Sequence, residues 1–482
     1  MEKLNRKSTG LEKKLPIKVV QFGEGNFLRA FVDYAFQRLN KELDFNAGIA
    51  MVQPLEHGVV HMINDQDGLY TLFMNGIKKG NKIQDIELIT NVVKGINPYK
   101  EFDGFLDLAK EEELQFIISN TTEAGIEYIA TDLPDMRPPV AFPARLTALL
   151  YERFKHFNAD PAKGLTIIPC ELINHNADTL KEIILKYNDL WNLDSGFKTW
   201  LLQSCTFHNT LVDRIVPGYP RNEIEEYNSK LDYHDNILVT AEPFFLWVIE
   251  GDEELKKKLP FHKTDLNVKI VDNMQPFRTL KVRILNGAHT AMVPFSLLYG
   301  NETVRETIED NFTGQFVNSI LTEIKGTLQM DRDETDSYAE EVMDRFRNPF
   351  IKHLLSDIAL NSISKFKVRV LPSLLEHYKT HQQLPVNLTF SLACLILFYK
   401  GSWDNKSLPV KDSPEIIEQF SSAWQLPDME SVASAVLSNE SFWGEDLTKI
   451  EGLQSEVVQA LSEIENNGLR KGYLNYNRQY QS

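Results

Sequence analysis

The stretch that most limits what this chain can fold into runs from residue 17 to residue 39. Ile17–Phe22 reads as a buried strand, Gly23-Glu24-Gly25 follows it directly, and apolar residues then recur at Leu28, Phe31, Val32, Ala35, Phe36 and Leu39. That spacing marks one face of an amphipathic helix. A strand that turns through two glycines into a helix belongs in a sheet layered with helices. Further strand-like runs at 49–52, 116–118 and 165–168 repeat the alternation. The first part of the chain is therefore expected to be α/β, with a mostly parallel sheet covered on both faces.

Beyond residue 275 the texture changes, and helical patterns at 303–328, 336–347, 388–399 and 431–437 replace the strands. A chain of 482 residues is too long for one ordinary core. Two domains are expected: a Rossmann-type nucleotide-binding domain over 1–275 and a mainly α-helical substrate and catalytic domain over 276–482.

A net charge of −17 argues against nucleic acid as a partner, because a duplex binder needs a basic face. It says little about a small anion, which a few local cations can hold. Cys170, Cys205 and Cys394 are odd in number and lie outside any CxxC pair, which fits a reducing cytoplasm without a disulfide framework. The N-terminal residues lack the apolar core of a secretory signal. The most apolar run, 388–399, is shorter than the ~20 residues that cross a bilayer, so no membrane partner is expected. The histidines show no HExxH or other metal-ligand spacing, and metal-free chemistry is the expectation.

Gly23 and Gly25 stand where a dinucleotide fold needs a tight turn and a close backbone approach to a pyrophosphate at a helix N-terminus. Leu28 replaces the third glycine of the usual pattern. Arg29 is a candidate to neutralise phosphate, with Asn26 and Phe27 shaping the turn. The second strand ends in Gln53 rather than the acid that binds the ribose diol of NAD, so these residues give only a lean toward NAD over NADP. The loop 119–125, Ser-Asn-Thr-Thr-Glu-Ala-Gly, is rich in small donors, and its Thr122 is a further cofactor candidate.

In the second domain Lys281-Val-Arg-Ile-Leu-Asn286-Gly-Ala-His289 sets three polar groups in an apolar segment. On an α-helix Lys281, His289 and Asn286 fall at roughly 0°, 80° and 140°, so all three can reach one cavity. An amine, an amide and an imidazole suit the interconversion of a carbinol and a ketone. One group carries the hydroxyl proton while the others hold the oxygen as its charge changes. The expected boundary near 265–276 would place this segment beside an interdomain cleft.

Together these motifs resemble the polyol-specific long-chain dehydrogenase/reductase family, also called the mannitol dehydrogenase family. Lys281-x4-Asn286-x2-His289 matches its catalytic signature, and Phe22-Gly23-Glu24-Gly25-Asn26-Phe27-Leu28-Arg29, Gln66-Asp-Gly-Leu-Tyr-Thr71, Leu211-Val-Asp-Arg-Ile215, Glu242-Pro-Phe244 and Arg347-Asn-Pro349 extend the match. The resemblance implies that Lys281 is the general acid/base and that Asn286 and His289 hold the reacting oxygen. It also implies that residues 22–29 bind NAD. The wording of 21–31, 119–125, 168–172 and 284–290 is most similar to members acting on sugar acids, which implies NADH-dependent reduction of a keto-uronate in hexuronate breakdown.

One departure stands out. Mannitol dehydrogenases carry Cys-Asp-Asn after the fourth strand, and this chain reads Cys170-Glu171-Leu172. Asn174, Asn176 or Asn286 alone would then have to polarise the carbonyl. A uronate also needs a cation for its carboxylate. Lys365 and Arg369 are the chosen candidates, with Lys352 and His353 beside them. Rival readings are family members acting on fructuronate, mannitol or mannitol 1-phosphate, and a silent nucleotide-binding regulator. The resemblance implies a monomer or a homodimer.

Overall fold

Val19, Val20 and Phe22 of strand β1 (Ile17–Phe22) are fully buried, as a strand covered on both faces requires. The computed structural model describes residues 2–11, 15–121 and 125–479. These divide into two units: Met1–Asn75 with Lys82–Met274, and Gly76–Asn81 with Gln275–Ser482.

In the first unit β1 leads into helix α1 (Asn26–Leu43), which is followed by β2 (Gly48–Val52) and a pair of strands, β3 (Tyr70–Lys78) and β4 (Asn81–Ile89). Then come β5 (Val92–Ile96), β6 (Phe116–Ser119), α2 (Phe142–His156), β7 (Thr166–Pro169), α3 (Asn176–Leu190) and β8 (Thr206–Phe207). Six of the strands form one sheet in the order β5-β2-β1-β6-β7-β8, with parallel neighbours throughout. The order reverses between β1 and β6, which is where open α/β sheets bind ligands. Phe22 stands opposite both Val52 and Ser119, and Ser119 opposite Pro169, so the carboxyl ends of four strands finish level.

The sheet has a core on each face. Phe31, Phe36 and Leu39 of α1 join Val19, Ile49, Met51 and Phe116 on one side. Leu146, Leu149 and Leu150 of α2 and Leu180 and Ile184 of α3 join Val20, Ala50, Val52 and Ile117 on the other. Each such side chain contributes about 1.5–3 kcal/mol on burial.

Two smaller three-stranded sheets go beyond what the alternation conveyed. One joins β3 and β4 to Val239–Ala241, and the other is formed by Thr210–Asp213, Leu246–Glu250 and Val268–Val271. The tip between β3 and β4, Gly76–Asn81, groups with the second unit, which a single boundary at residue 275 does not anticipate.

The second unit is helical over most of its described length. Helix α4 (Gln275–Leu280) passes into a wide turn at Lys281–Asn286 and then α5 (Gly287–Tyr299). Later come α6 (Asn311–Lys325), α7 (Arg332–Phe346), α8 (Ser362–Arg369), α9 (Leu371–His381), α10 (Val386–Phe398) and α11 (Leu453–Arg478). Helix α10 is buried from Asn387 to Phe398, the pattern of a central helix, and Ser391 Oγ donates to Ala291 O of α5 at 2.7 Å. The expected helix over 303–328 is in fact two. Asp310 ends the first and caps α6 by accepting from Phe312 N and Thr313 N at 2.9 Å. Among the described residues no helix is long and apolar enough to cross a membrane. All three cysteines are buried thiols.

Candidate active site

In the first unit the glycine turn follows β1 without a gap. Gly23 has φ 127° and donates its N–H to Val52 O at 2.9 Å. A Cβ on Gly23 would stand 2.8 Å from Leu28 Cδ1 and 3.0 Å from Asn120 O, so the position demands glycine on both counts. Leu28 fills the space that the third glycine of the usual pattern leaves open. Gly25 caps α1 with no side-chain hydrogen bond and has open space in front of its Cα. The first N–H groups of an eighteen-residue helix therefore face outward, an arrangement that suits a phosphate.

Other candidates from residues 22–29 serve the turn from behind. Phe22 packs on Phe105 and Phe142 in the core, and Phe27 stacks on Phe31 with centroids 4.9 Å apart. Arg29 is buried, and its guanidinium is engaged by the protein. It donates to Glu24 O at 3.0 Å, Ile237 O at 2.5 Å and Asn26 Oδ1 at 2.7 Å, and it lies over the Tyr70 ring. Three of its N–H groups thus hold the turn from behind, a structural task beside the phosphate role expected of Arg29. Tyr70 continues the support, its single O–H lying 2.9 Å from Arg29 O and 2.6 Å from Asp33 Oδ2. Thr122 lies outside the described residues.

Gln53, at the end of β2, is held by its own loop. Its amide donates to Leu55 O at 2.8 Å and Glu56 O at 3.0 Å, and its Oε1 accepts from Val60 N at 3.3 Å. The side chain closes the loop after β2 and has no amide hydrogen left for a ribose hydroxyl.

In the second unit Lys281–Asn286 is wound as a π-helix. An i→i+5 turn holds ~4.4 residues, so each step rotates about 80° instead of ~100°. Five such steps bring Asn286 to within about 50° of Lys281, where a regular α-helix would hold it at ~140°. His289, three α-helical steps further on, returns to within ~20° of Lys281. The wide turn thus narrows the arc shared by the three side chains, and such turns collect at functional sites.

His289 is buried beside Phe346 of α7, with ring centroids 4.4 Å apart, and meets His353 edge-on at 4.9 Å. Burial holds the His353 pKa below the usual imidazole value, and Arg345 adds to that while Asp357 opposes it. Arg369 of α8 donates to Thr290 Oγ1 at 3.5 Å, which brings its guanidinium to the residue after His289. Lys365, one turn earlier, is half-buried and donates to Ile358 O at 2.9 Å. Burial and the neighbouring Arg369 lower the Lys365 pKa, and burial lowers that of Arg369. Of the two, only Arg369 reaches α5 through a hydrogen bond. Lys352 is exposed.

Residues 17–263 match the mannitol dehydrogenase Rossmann domain, and residues 273–465 match the mannitol dehydrogenase C-terminal domain. The chain belongs to the mannitol dehydrogenase family. It is similar to an altronate oxidoreductase of Bacillus subtilis (strain 168), with 44% identity over 479 residues covering 99% of this chain and 98% of the relative. An altronate oxidoreductase of Escherichia coli O7:K1 (strain IAI39 / ExPEC) is 45% identical over 463 residues, covering 95% and 96%. Among solved structures, D-sorbitol dehydrogenase in substrate-free form overlays with a TM-score of 0.81 at 19% identity, covering 95% of each chain. The Pseudomonas fluorescens mannitol 2-dehydrogenase ternary complex with NAD and D-mannitol overlays with a TM-score of 0.66 at 19% identity, covering 99% of each. Membership makes this chain an oxidoreductase acting on a CH–OH group.

The segment after β7 sets this mannitol dehydrogenase relative apart. Leu172 is 59% exposed. Asn176 is fully buried. Its amide faces Pro169 O at 3.0 Å and Glu171 O at 3.1 Å, and its Oδ1 accepts from Ala177 N at 2.9 Å and Thr210 N at 3.1 Å. It is held too fully to polarise a carbonyl, which removes it from the candidates, while Asn174 is exposed. Glu171 carries a role that the motif reading did not assign. Its buried carboxylate accepts from Ser119 Oγ and Thr121 N at 3.0 Å and from Thr121 Oγ1 at 3.1 Å. Burial raises its pKa, and those donors oppose the rise. Glu171 therefore ties the end of β6 to the end of β7 beside the switch point. An acid two residues past the end of a strand was the signal in the sequence.

Proposed function

We propose that this chain is an NAD-dependent, cytoplasmic oxidoreductase that reduces D-tagaturonate to D-altronate in hexuronate breakdown and can run the reverse oxidation. The observation that carries the reading is near-full-length identity of 44% with an altronate oxidoreductase, on a chain that keeps Lys281, Asn286 and His289 along one arc of helix. The turn at Gly23–Gly25, with its open helix N-terminus, suits a dinucleotide pyrophosphate.

NADH, held at the Gly23–Gly25 turn, would supply the hydride for the keto carbon. Lys281 gives a proton to the oxygen as it becomes a hydroxyl, and takes it back in the reverse direction. Asn286 and His289 donate hydrogen bonds to that oxygen while its charge changes. With the proton carried by a lysine, no metal is required. Arg369, with Lys365 one turn away, holds the substrate carboxylate.

The test follows NADH oxidation with tagaturonate, fructuronate, fructose and fructose 6-phosphate, for wild type and Lys281→Ala. Tagaturonate is expected to react fastest, and the variant to lose most turnover while NADH still binds. Faster turnover of fructuronate would move the chain to a sister activity, and an unaffected variant would overturn the mechanism.

A further inference from the structure

A carboxylate from another part of the first unit stands beside the end of β2. In a sheet of this strand order the adenosine ribose of a dinucleotide lies past the carboxyl end of the second strand, where an acid usually binds its diol. Gln53 stands there, uncharged, with both amide hydrogens used in closing its own loop. The carboxylate of Glu24 lies beside it. A Cβ on Gly58 would overlap Glu24 Oε1 and would stand 2.5 Å from Gln53 Cδ and 2.6 Å from Gln53 Oε1. Both side chains therefore press on one glycine at the strand end. Val59 N donates to Glu24 Oε1 at 3.4 Å, which fixes the carboxylate against the loop. Glu24 is 8% exposed, so it is close to the surface at the strand end.

We propose that Glu24, reaching across from the glycine turn, is the residue that makes this chain choose NAD over NADP. Its carboxylate accepts from the ribose hydroxyls and repels a 2′-phosphate at the same place. This rests on the dinucleotide reading above and adds the group that discriminates. Burial raises the Glu24 pKa and backbone donors oppose the rise, so two ribose hydroxyls would favour its charged form further.

The experiment is equilibrium binding, with no turnover required. Full-length wild type, Glu24→Gln and Glu24→Ser are titrated with NADH and NADPH by fluorescence, and with ADP-ribose and its 2′-phosphate by calorimetry. Circular dichroism confirms folding of each variant, and the serine variant stands in should the glutamine one not fold. Wild type is expected to prefer the unphosphorylated ligands by about 100-fold, and loss of the charge to reduce that preference by about tenfold or more, partly through tighter NADPH binding. A preference unchanged by either substitution means that Glu24 only staples the loop, and overturns the proposal. Binding of neither dinucleotide to wild type overturns the cofactor reading along with it.

Discussion

Gly287 and Arg369 meet where α5 begins and α8 ends: a Cβ on Gly287 would stand 3.0 Å from Arg369 O and 3.5 Å from Val282 O. The glycine lets α8 lie close to the wide turn, and the Arg369 guanidinium then reaches Thr290. Gly287→Ala would gain ~1 kcal/mol of helix propensity, but forcing α8 outward costs about 1–3 kcal/mol. A small net loss of stability is expected in urea titrations. The KM for the sugar acid should rise several-fold with NADH affinity unchanged. A stabilised variant with wild-type KM would show that α8 has room to move.

Asn176 and Asn174 are separated by the same logic. Asn176→Ala removes acceptors and donors for Pro169, Glu171, Ala177 and Thr210 inside the fold. It is expected to lose about 2–4 kcal/mol in chemical denaturation. Asn174 is exposed, and Asn174→Ala should stay within about 0.5 kcal/mol of wild type. Were Asn176 a carbonyl partner instead, its loss would lower kcat at nearly unchanged stability.

Arg29 tests the back of the turn. Arg29→Met leaves Glu24 O, Ile237 O and Asn26 Oδ1 without their donor, which costs ~3 kcal/mol or more in a buried site. Arg29→Lys should fail nearly as badly, because an ammonium cannot span three acceptors held in a fork. Both variants are expected to melt well below wild type in calorimetry. Normal melting with dinucleotide binding weakened tenfold or more would restore Arg29 as a phosphate ligand.

The contrast between Gly23 and Arg29 explains how far the sequence could be read. Gly23 was legible because a strand, two glycines and a helix are local and follow two periods. The parallel sheet was legible for the same reason, as successive strands kept their spacing. The structural partners of Arg29 were not legible, because Ile237 and Tyr70 are distant in the chain and only packing brings them together. Asn286 was placed on the correct helix at the wrong angle, since no residue preference encodes an i→i+5 turn. Gln53 was seen as an absent acid, but the carboxylate of Glu24 beside it required the fold of loop 53–59.

Asp33 gives a pH signature within the same network. Burial pushes its carboxyl up to about 7, against pulls from Tyr70, Arg29 and Gln21. A carboxyl with a raised folded pKa contributes stability that is complete below its unfolded value, near 3.9. That contribution declines as pH rises toward 7 and is gone above it. At about 1.4 kcal/mol per pH unit the full swing is at most ~4 kcal/mol. Asp33→Asn keeps an acceptor for Tyr70 Oη, now at 2.6 Å, and has no carboxyl to titrate. The variant should therefore lack this slope. Measured by urea unfolding at pH 5 and pH 8, the difference between variant and wild type is expected to shift in favour of the variant by about 1–4 kcal/mol as pH rises. Taking the difference removes other groups that titrate in the same window, Glu323 among them, whose pKa burial raises to about 7. A difference that stays constant between the two pH values would mean that Asp33 is ionised in the folded protein throughout, with Arg29 and Tyr70 outweighing burial.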